Sequence, residues 1–114
     1  EESPFTNRIH ADDLARVCLA AMQRGRAGEV YNVADGHPTT MAAYFNQIAD
    51  RLDLPRPPVV DRQTAERVLS PSMLSFLSES KRLVNRKMLD ELGVRLRYPD
   101  LDQGLGTLFE AGPD

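Results

Sequence analysis

Proline and glycine interrupt this chain so often that only short elements fit between the breaks. Interruptions fall at Gly25 and Gly28, from Gly36 to Pro38, from Pro55 to Pro58, and at Pro71, Gly93 and Pro99. Proline lacks the backbone donor that a helix or a central strand needs, and glycine gives up the most chain entropy on ordering. What remains is a succession of short helices and brief strands. At 114 residues such a chain makes a single domain, 1–114, large enough to bury roughly two thirds of its unfolded surface.

The hydrophobic content of 41% beside 27% charged residues is ordinary for a soluble globular protein, and no low-complexity tract suggests disorder. A formal charge of -3 supplies no global attraction to nucleic acid or anionic lipid. No apolar run approaches the length of a membrane span, and Glu1-Glu2-Ser3-Pro4 lacks the basic-then-apolar order of a signal peptide. Cys18 is the one cysteine, so no internal disulfide can form. Its apolar neighbours predict a small buried filler, and together these features predict a cytoplasmic protein. The first residue is not Met and a strand is expected almost at once, which predicts that the chain was cut from something longer.

Phe5 to His10 alternates, predicting a short strand with Arg8 and His10 on one face. Asp12 and Asp13 open a helix whose apolar stripe is Leu14, Val17, Cys18, Ala21 and Met22, and which ends at Arg24–Gly25. Glu29 to Ala34 predicts a second strand with an exit turn at Asp35-Gly36-His37-Pro38. Thr39 or Thr40 caps the next helix, with Met41, Tyr44, Phe45, Ile48, Ala49 and Leu52 as its stripe. After the prolines, Val59-Val60 is a brief strand, and 64–77 is helical with a restart at Ser70-Pro71. Residues 82–84 are extended, Asn85 caps a helix that Gly93 ends, and Leu101 to Phe109 outline a last helix. This order predicts an α/β fold, a small, mostly parallel sheet of short strands covered by helices. So thin a sheet needs another domain or a second copy to finish burying its faces.

Three stretches carry a family likeness. Ile9-His10-Ala11-Asp12-Asp13-Leu14-Ala15 resembles the strand-to-helix motif of the extended short-chain dehydrogenases/reductases, the NAD-dependent epimerase/dehydratase family, commonly Ile-His-Val-x-Asp-Leu-Ala. Gly28-Glu29-Val30-Tyr31-Asn32-Val33-Ala34 is similar to the following Gly-x-x-Tyr-Asn-Val-Gly strand. Ser80-Lys81, Leu92-Gly93, Tyr98-Pro99 and Gly104-Leu105 resemble the closing Ser-Lys, Leu-Gly-x-x-Pro and Gly-Leu pattern. The matches occur in family order between residues 7 and 105. The resemblance implies a parent enzyme with an N-terminal Rossmann domain that binds NAD or NADP, and a C-terminal half that closes over a small-molecule substrate. This chain would be the C-terminal, substrate-side portion.

The catalytic parts that the resemblance implies are absent from the sequence. Tyr31, Tyr44 and Tyr98 are followed four residues later by Asp35, Ile48 and Asp102, so the family's Tyr-x-x-x-Lys is missing. Gly104-Leu105-Gly106 follows no predicted strand, contrary to the context a dinucleotide loop requires. No catalytic, cofactor-binding or metal-ligating residue is assigned, and the isolated chain is expected to be inactive. Where the family often places phosphate-binding arginines, this chain has Thr6 and the run Val68-Leu69-Ser70-Pro71, so a nucleotide-sugar substrate is not implied.

Asn7, Arg8 and His10 sit where a strand meets a helix start, a place where α/β folds bind ligands, and they are the substrate-binding candidates. A hydrogen-bonded cluster fixing the turn is the plainer reading of the same residues. Asp12 and Asp13 read as helix-start charges, because adjacent helical residues point about 100° apart. The basic cluster Lys81, Arg82, Arg86, Lys87, Arg95 and Arg97 reads as a solvated face, with no aromatic residues interleaved for base stacking. The alternative to an enzymatic parent is a non-enzymatic helical module that binds protein or nucleic acid.

Overall fold

The computed structural model describes residues 3–110. Along the chain it has β1 (Phe5–Thr6), α1 (Ala11–Arg24), β2 (Thr39–Thr40), α2 (Met41–Arg51), α3 (Arg62–Val68), α4 (Pro71–Ser78), α5 (Arg86–Leu92) and α6 (Leu101–Glu110). The described residues form two compact units: one joins the start of the chain up to Thr6 with Thr39–Arg82, the other joins Asn7–Pro38 with the chain from Leu83 onward.

The mostly parallel sheet expected from the sequence is not there. Among the described residues the sheet has two strands of two residues, antiparallel, with Phe5 opposite Thr40 and Thr6 opposite Thr39. Helices dominate. A strand exists only by its ladder, and the extended segments have their backbone groups taken by other partners. In the second unit Lys87 Nζ donates to Val30 O at 2.9 Å and Asn85 Nδ2 donates to Ala34 O at 2.9 Å. Side chains from the start of α5 thus stand where a neighbouring strand would run along 29–34. Just after that segment Asp35 N donates to Arg8 O at 2.8 Å, and at its start Glu29 N donates to Arg26 O at 3.1 Å. Leu83 N likewise goes to Asn7 Oδ1 at 2.8 Å, and Val59 is almost wholly exposed beside its neighbour Val60.

Helix boundaries follow local chemistry. Thr40 Oγ1 accepts from Ala43 N at 3.1 Å and Ser70 Oγ from Met73 N at 3.2 Å, with Pro71 at the first helical position. Each such cap is worth about 1 kcal/mol. Gly93 sits at φ 63 and ends α5 in the left-handed conformation, its N–H returning to Leu89 O. α2 stops without glycine: Asp53 takes φ 56, and Leu54 N reaches back to Ala49 O.

The core of the second unit is α1 against α5: Val17 and Ala20 meet Met88 and Leu92, ringed by Ile9, Ala21, Tyr31, Val33, Leu89, Val94 and Leu96. The stripe predicted for α1 therefore mixed two faces. Leu14, Cys18 and Met22 are exposed, and Cys18 is not the buried filler its neighbours suggested. In the first unit β1 is held on both sides, by Thr39–Thr40 and by Ser80 Oγ, which accepts from Phe5 N at 2.9 Å. Arg82 lies over the Phe5 ring, 4.8 Å from its centroid. Ala49 is its buried apolar residue, and α3 packs on α4 with Leu69, Leu74 and Leu77 half-buried.

Leu92 makes the test of this core. Leu92→Ala should cost about 2–5 kcal/mol in denaturant unfolding, whereas Val59→Ala should stay within about 0.5 kcal/mol. Equal effects from the two substitutions would mean that α1 and α5 do not form the packed centre.

Candidate functional site

The chemistry-bearing residues of the second unit gather at the two ends of α1 and along the turn after Ala34. Helix α1 starts at His10, whose backbone is extended and whose Nδ1 accepts from Asp12 N at 3.1 Å. In the neutral ring that assignment puts the proton on Nε2, which lies 3.0 Å from Thr107 Oγ1 on α6. Thr107 Oγ1 donates in turn to Gly104 O at 2.8 Å. The His10 ring stacks on Tyr98 with centroids 4.1 Å apart. Both ring nitrogens of this substrate-binding candidate are thus engaged by the chain itself. Gly104 belongs to the same packing, since a Cβ there would meet His10 Cδ2 at 3.4 Å, and the Gly104–Gly106 stretch is helix, not a phosphate loop.

Asp13 does more than sit in the first turn of a helix. Its carboxylate is fully buried and accepts from Tyr98 N at 2.9 Å and Arg97 N at 3.1 Å, with the Arg16 guanidinium paired to the same group. Burial pushes this carboxyl up. The two backbone N–H groups and Arg16 outweigh burial and hold it below the usual carboxylate value. The helix-start charge read from the sequence is in fact a long-range clamp across 85 residues of chain.

The other two candidates lie on the adjoining segment. Asn7 spends its Oδ1 on Leu83 N, and Arg8 offers its carbonyl to Asp35 N. Arg8 also bears on Asp35 electrostatically. The Asp35 side chain is buried, and its Oδ1 accepts from His37 N at 2.9 Å to close the turn. Burial raises the Asp35 carboxyl above its ordinary value, opposed by the His37 N–H and the Arg8 charge. Gly36 between them takes φ +87, and a Cβ there would stand 2.8 Å from Asn85 Nδ2, so both conformation and space require glycine. His37 Nδ1 bonds Pro99 O.

Asp35, Gly36, His37 and Asn85, with Leu89, Val94, Arg95, Leu96 and Pro99, line an open cavity of about 410 Å³. That volume suits a small molecule or part of one. The chemistry on offer is binding: a buried carboxyl, an amide and an imidazole among apolar lining residues. Among the described residues no group of three or more His, Cys, Asp or Glu side chains is placed to hold a metal. Sequence reasoning named Arg8 but missed Asp35 and Asn85. The available signal was Asp35-Gly36, a glycine that must leave room for something, and an Asn at a helix start that spends its side chain elsewhere.

Within the basic cluster read from the sequence, Lys87 is taken up by contacts inside the second unit, and Arg26 joins them. Lys87 pairs with Glu29 at 2.6 Å, Arg26 with Glu91 at 2.8 Å and with Glu29 at 3.0 Å, and Lys87 lies 5.0 Å from the Tyr31 centroid. These contacts pin the loop after α1 to α5. At a partly exposed site each pair is worth little alone, but the set closes on itself.

Known protein families and curated proteins give no match to this chain. Among solved structures, a functionally unknown conserved protein from Silicibacter pomeroyi is similar, with a TM-score of 0.83 and 42% identity over 92% of this chain. The match covers 36% of that protein, so the present chain spans about a third of its length.

Asp13 and Asp35 should respond to pH in opposite directions. A carboxyl lowered by folding contributes stability above its unfolded pKa and loses it as pH falls through the folded value. Asp13→Asn should therefore cost stability at pH 7, and the gap to the parent should close on acidification below about pH 4. A raised carboxyl contributes most below its unfolded pKa and loses that contribution as pH rises through the folded value. Asp35→Asn should accordingly raise the denaturation midpoint at pH 7 and lose the advantage below about pH 4. Urea titrations of both variants across that range check the two signs.

Proposed function

We propose that these residues are the substrate-side part of an NAD(P)-dependent epimerase, dehydratase or reductase of the extended short-chain dehydrogenase/reductase type, acting in the cytoplasm on a small molecule. The observation that carries this reading is the convergence of the three family-like stretches in one unit. The Ile9–Ala15 stretch brings His10 onto Tyr98 and Asp13 onto the Arg97–Tyr98 backbone. The Gly28–Ala34 stretch is held by Asn85 and Lys87 of the closing stretch. Residues far apart in sequence meet one another, as a motif set inherited together would.

In this reading the Rossmann half supplies the cofactor and the hydride chemistry, and the present residues supply binding and orientation. Arg8 and the Asp35 turn bound the candidate substrate contact, with the cavity beside Asp35 as the place for a small ligand or part of one. The match to about a third of a longer protein fits a segment that works within a larger polypeptide. No helix among the described residues is long and apolar enough to cross a membrane.

The reading frame that encodes the chain supplies the test. A strand, glycine loop and helix, followed by Tyr-x-x-x-Lys, should lie upstream of Glu1. The longer product should bind NAD or NADP at micromolar Kd in calorimetry, and the 114-residue chain should show no heat of binding. Micromolar binding by the 114 residues alone, or an upstream frame without those elements, would overturn the proposal.

A further inference from the structure

The open cavity of the second unit carries more hydrogen-bonding capacity than its own turn takes up. Its volume of about 410 Å³ falls within the roughly 300–1,000 Å³ of small-molecule sites. Asp35 is buried and its Oδ1 accepts from His37 N at 2.9 Å, while Oδ2 accepts no hydrogen bond among the described residues. Asn85 donates from Nδ2 to Ala34 O, and its Oδ1 likewise meets no donor among the described residues. His37 Nδ1 donates to Pro99 O, a group that only accepts, so the neutral ring keeps Nε2 as an acceptor. The three acceptors stand on residues that touch: a Cβ on Gly36, which joins Asp35 to His37, would lie 3.2 Å from Asn85 Oδ1.

An ammonium group brings three donors and a positive charge, which suits three acceptors of which one is a carboxylate. Arg95 is an exposed lining residue whose guanidinium makes no ion pair among the described residues, so a negative group has a partner beside the same cavity. The surrounding charge is balanced. Arg8 and Asp100 act on Asp35 with opposite signs, and Arg95 offsets Asp35 itself, so neither a net cation nor a net anion is favoured. Leu89, Val94 and Leu96 supply the apolar part of the lining and pack against the core.

We propose that this cavity binds a free α-amino acid with an apolar side chain as its zwitterion, the ammonium on Asp35, Asn85 and His37, the carboxylate on Arg95, and the side chain on Leu89, Val94 and Leu96. The lining residues all belong to the second unit, so the site is complete within it. That such an amino acid is what a longer enzyme transforms rests on the function proposed above; the binding site does not.

L-Leucine titrated into the isotope-labelled 114-residue chain tests the site, followed by NMR and calorimetry. The Gly36 amide and the Asn85 side-chain amide should shift with a Kd below about 1 mM. Leucinamide lacks the carboxylate and isocaproate lacks the ammonium, and each should bind at least about 10-fold more weakly. Asp35→Asn and Arg95→Gln should each lose at least about 10-fold in leucine affinity with the fold retained, which melting curves check. The analogue series on the unaltered chain does not depend on either variant.

No shift up to about 10 mM leucine would overturn the proposal, as would either analogue binding as tightly as leucine, or shifts confined to residues 39–82 of the first unit. Calorimetry with NAD(P) on the longer product separates the two proposals. Leucine binding without NAD(P) binding keeps the amino-acid site and removes the enzymatic reading; NAD(P) binding without leucine binding does the reverse.

Discussion

The second unit depends on one buried carboxylate. Asp13 lies in the first turn of α1, excluded from solvent, and accepts hydrogen bonds from the backbone of Arg97 and Tyr98 while paired to Arg16. Charge-assisted bonds to backbone N–H groups are stronger than neutral ones, and a buried carboxylate left without them would be costly. The clamp fixes where the segment before α6 crosses the start of α1. His10 can then stack on Tyr98 and reach Thr107, so α6 is positioned from the same point. Arg24 repeats the device at the far end of α1, donating from Nε to Leu92 O at 2.6 Å. The apolar contact between α1 and α5 is held in register by a polar tie near each end of α1.

The same logic explains why the described residues of this unit form no sheet of their own. Extended backbone must place its donors and acceptors somewhere, and here side chains take the places a ladder would fill. Asn85, Lys87 and Asn7 each give a side-chain group to the backbone of an extended segment. Asn85 pays for this with its helix cap, since its side chain makes no capping bond to α5. The arrangement also shapes the cavity, because Asn85 and Gly36 approach so closely that the turn carrying Asp35 is pressed against the start of α5.

Much of the element order was legible from the sequence. Helices α1 to α6 fall close to where periodicity, caps and glycine or proline breaks put them, because those signals act within one or two turns. Of the expected strands only the start of the first, Phe5–Thr6, is a strand, and its partner Thr39–Thr40 reads in the sequence as a helix cap. Alternation at 29–34 reports that one side of the segment is covered, with Tyr31 and Val33 turned to the core and Val30 exposed, but not what covers it. Of the candidate site, Asn7, Arg8 and His10 were found by their place in a motif, and the structure spends Asn7 and both nitrogens of His10 on the chain's own groups. Asp35 and Asn85 escaped because their significance lies in partners at 34 and 37, one of them 51 residues away.

Local chemistry in the sequence alone determined where helices begin and end, that one cysteine precludes an internal disulfide, and that no dinucleotide loop or Tyr-x-x-x-Lys is carried by these residues. Tertiary structure alone decided which face of α1 is inward. The helix is apolar on two sides, so periodicity could not choose between them, and the choice was made by what α5 offered and by where Asp13 could bury its charge. It likewise decided that Asp13 is a clamp and Asp35 a buried acid, because a carboxyl's role follows from the donors and dielectric around it, which a linear string of residues does not contain.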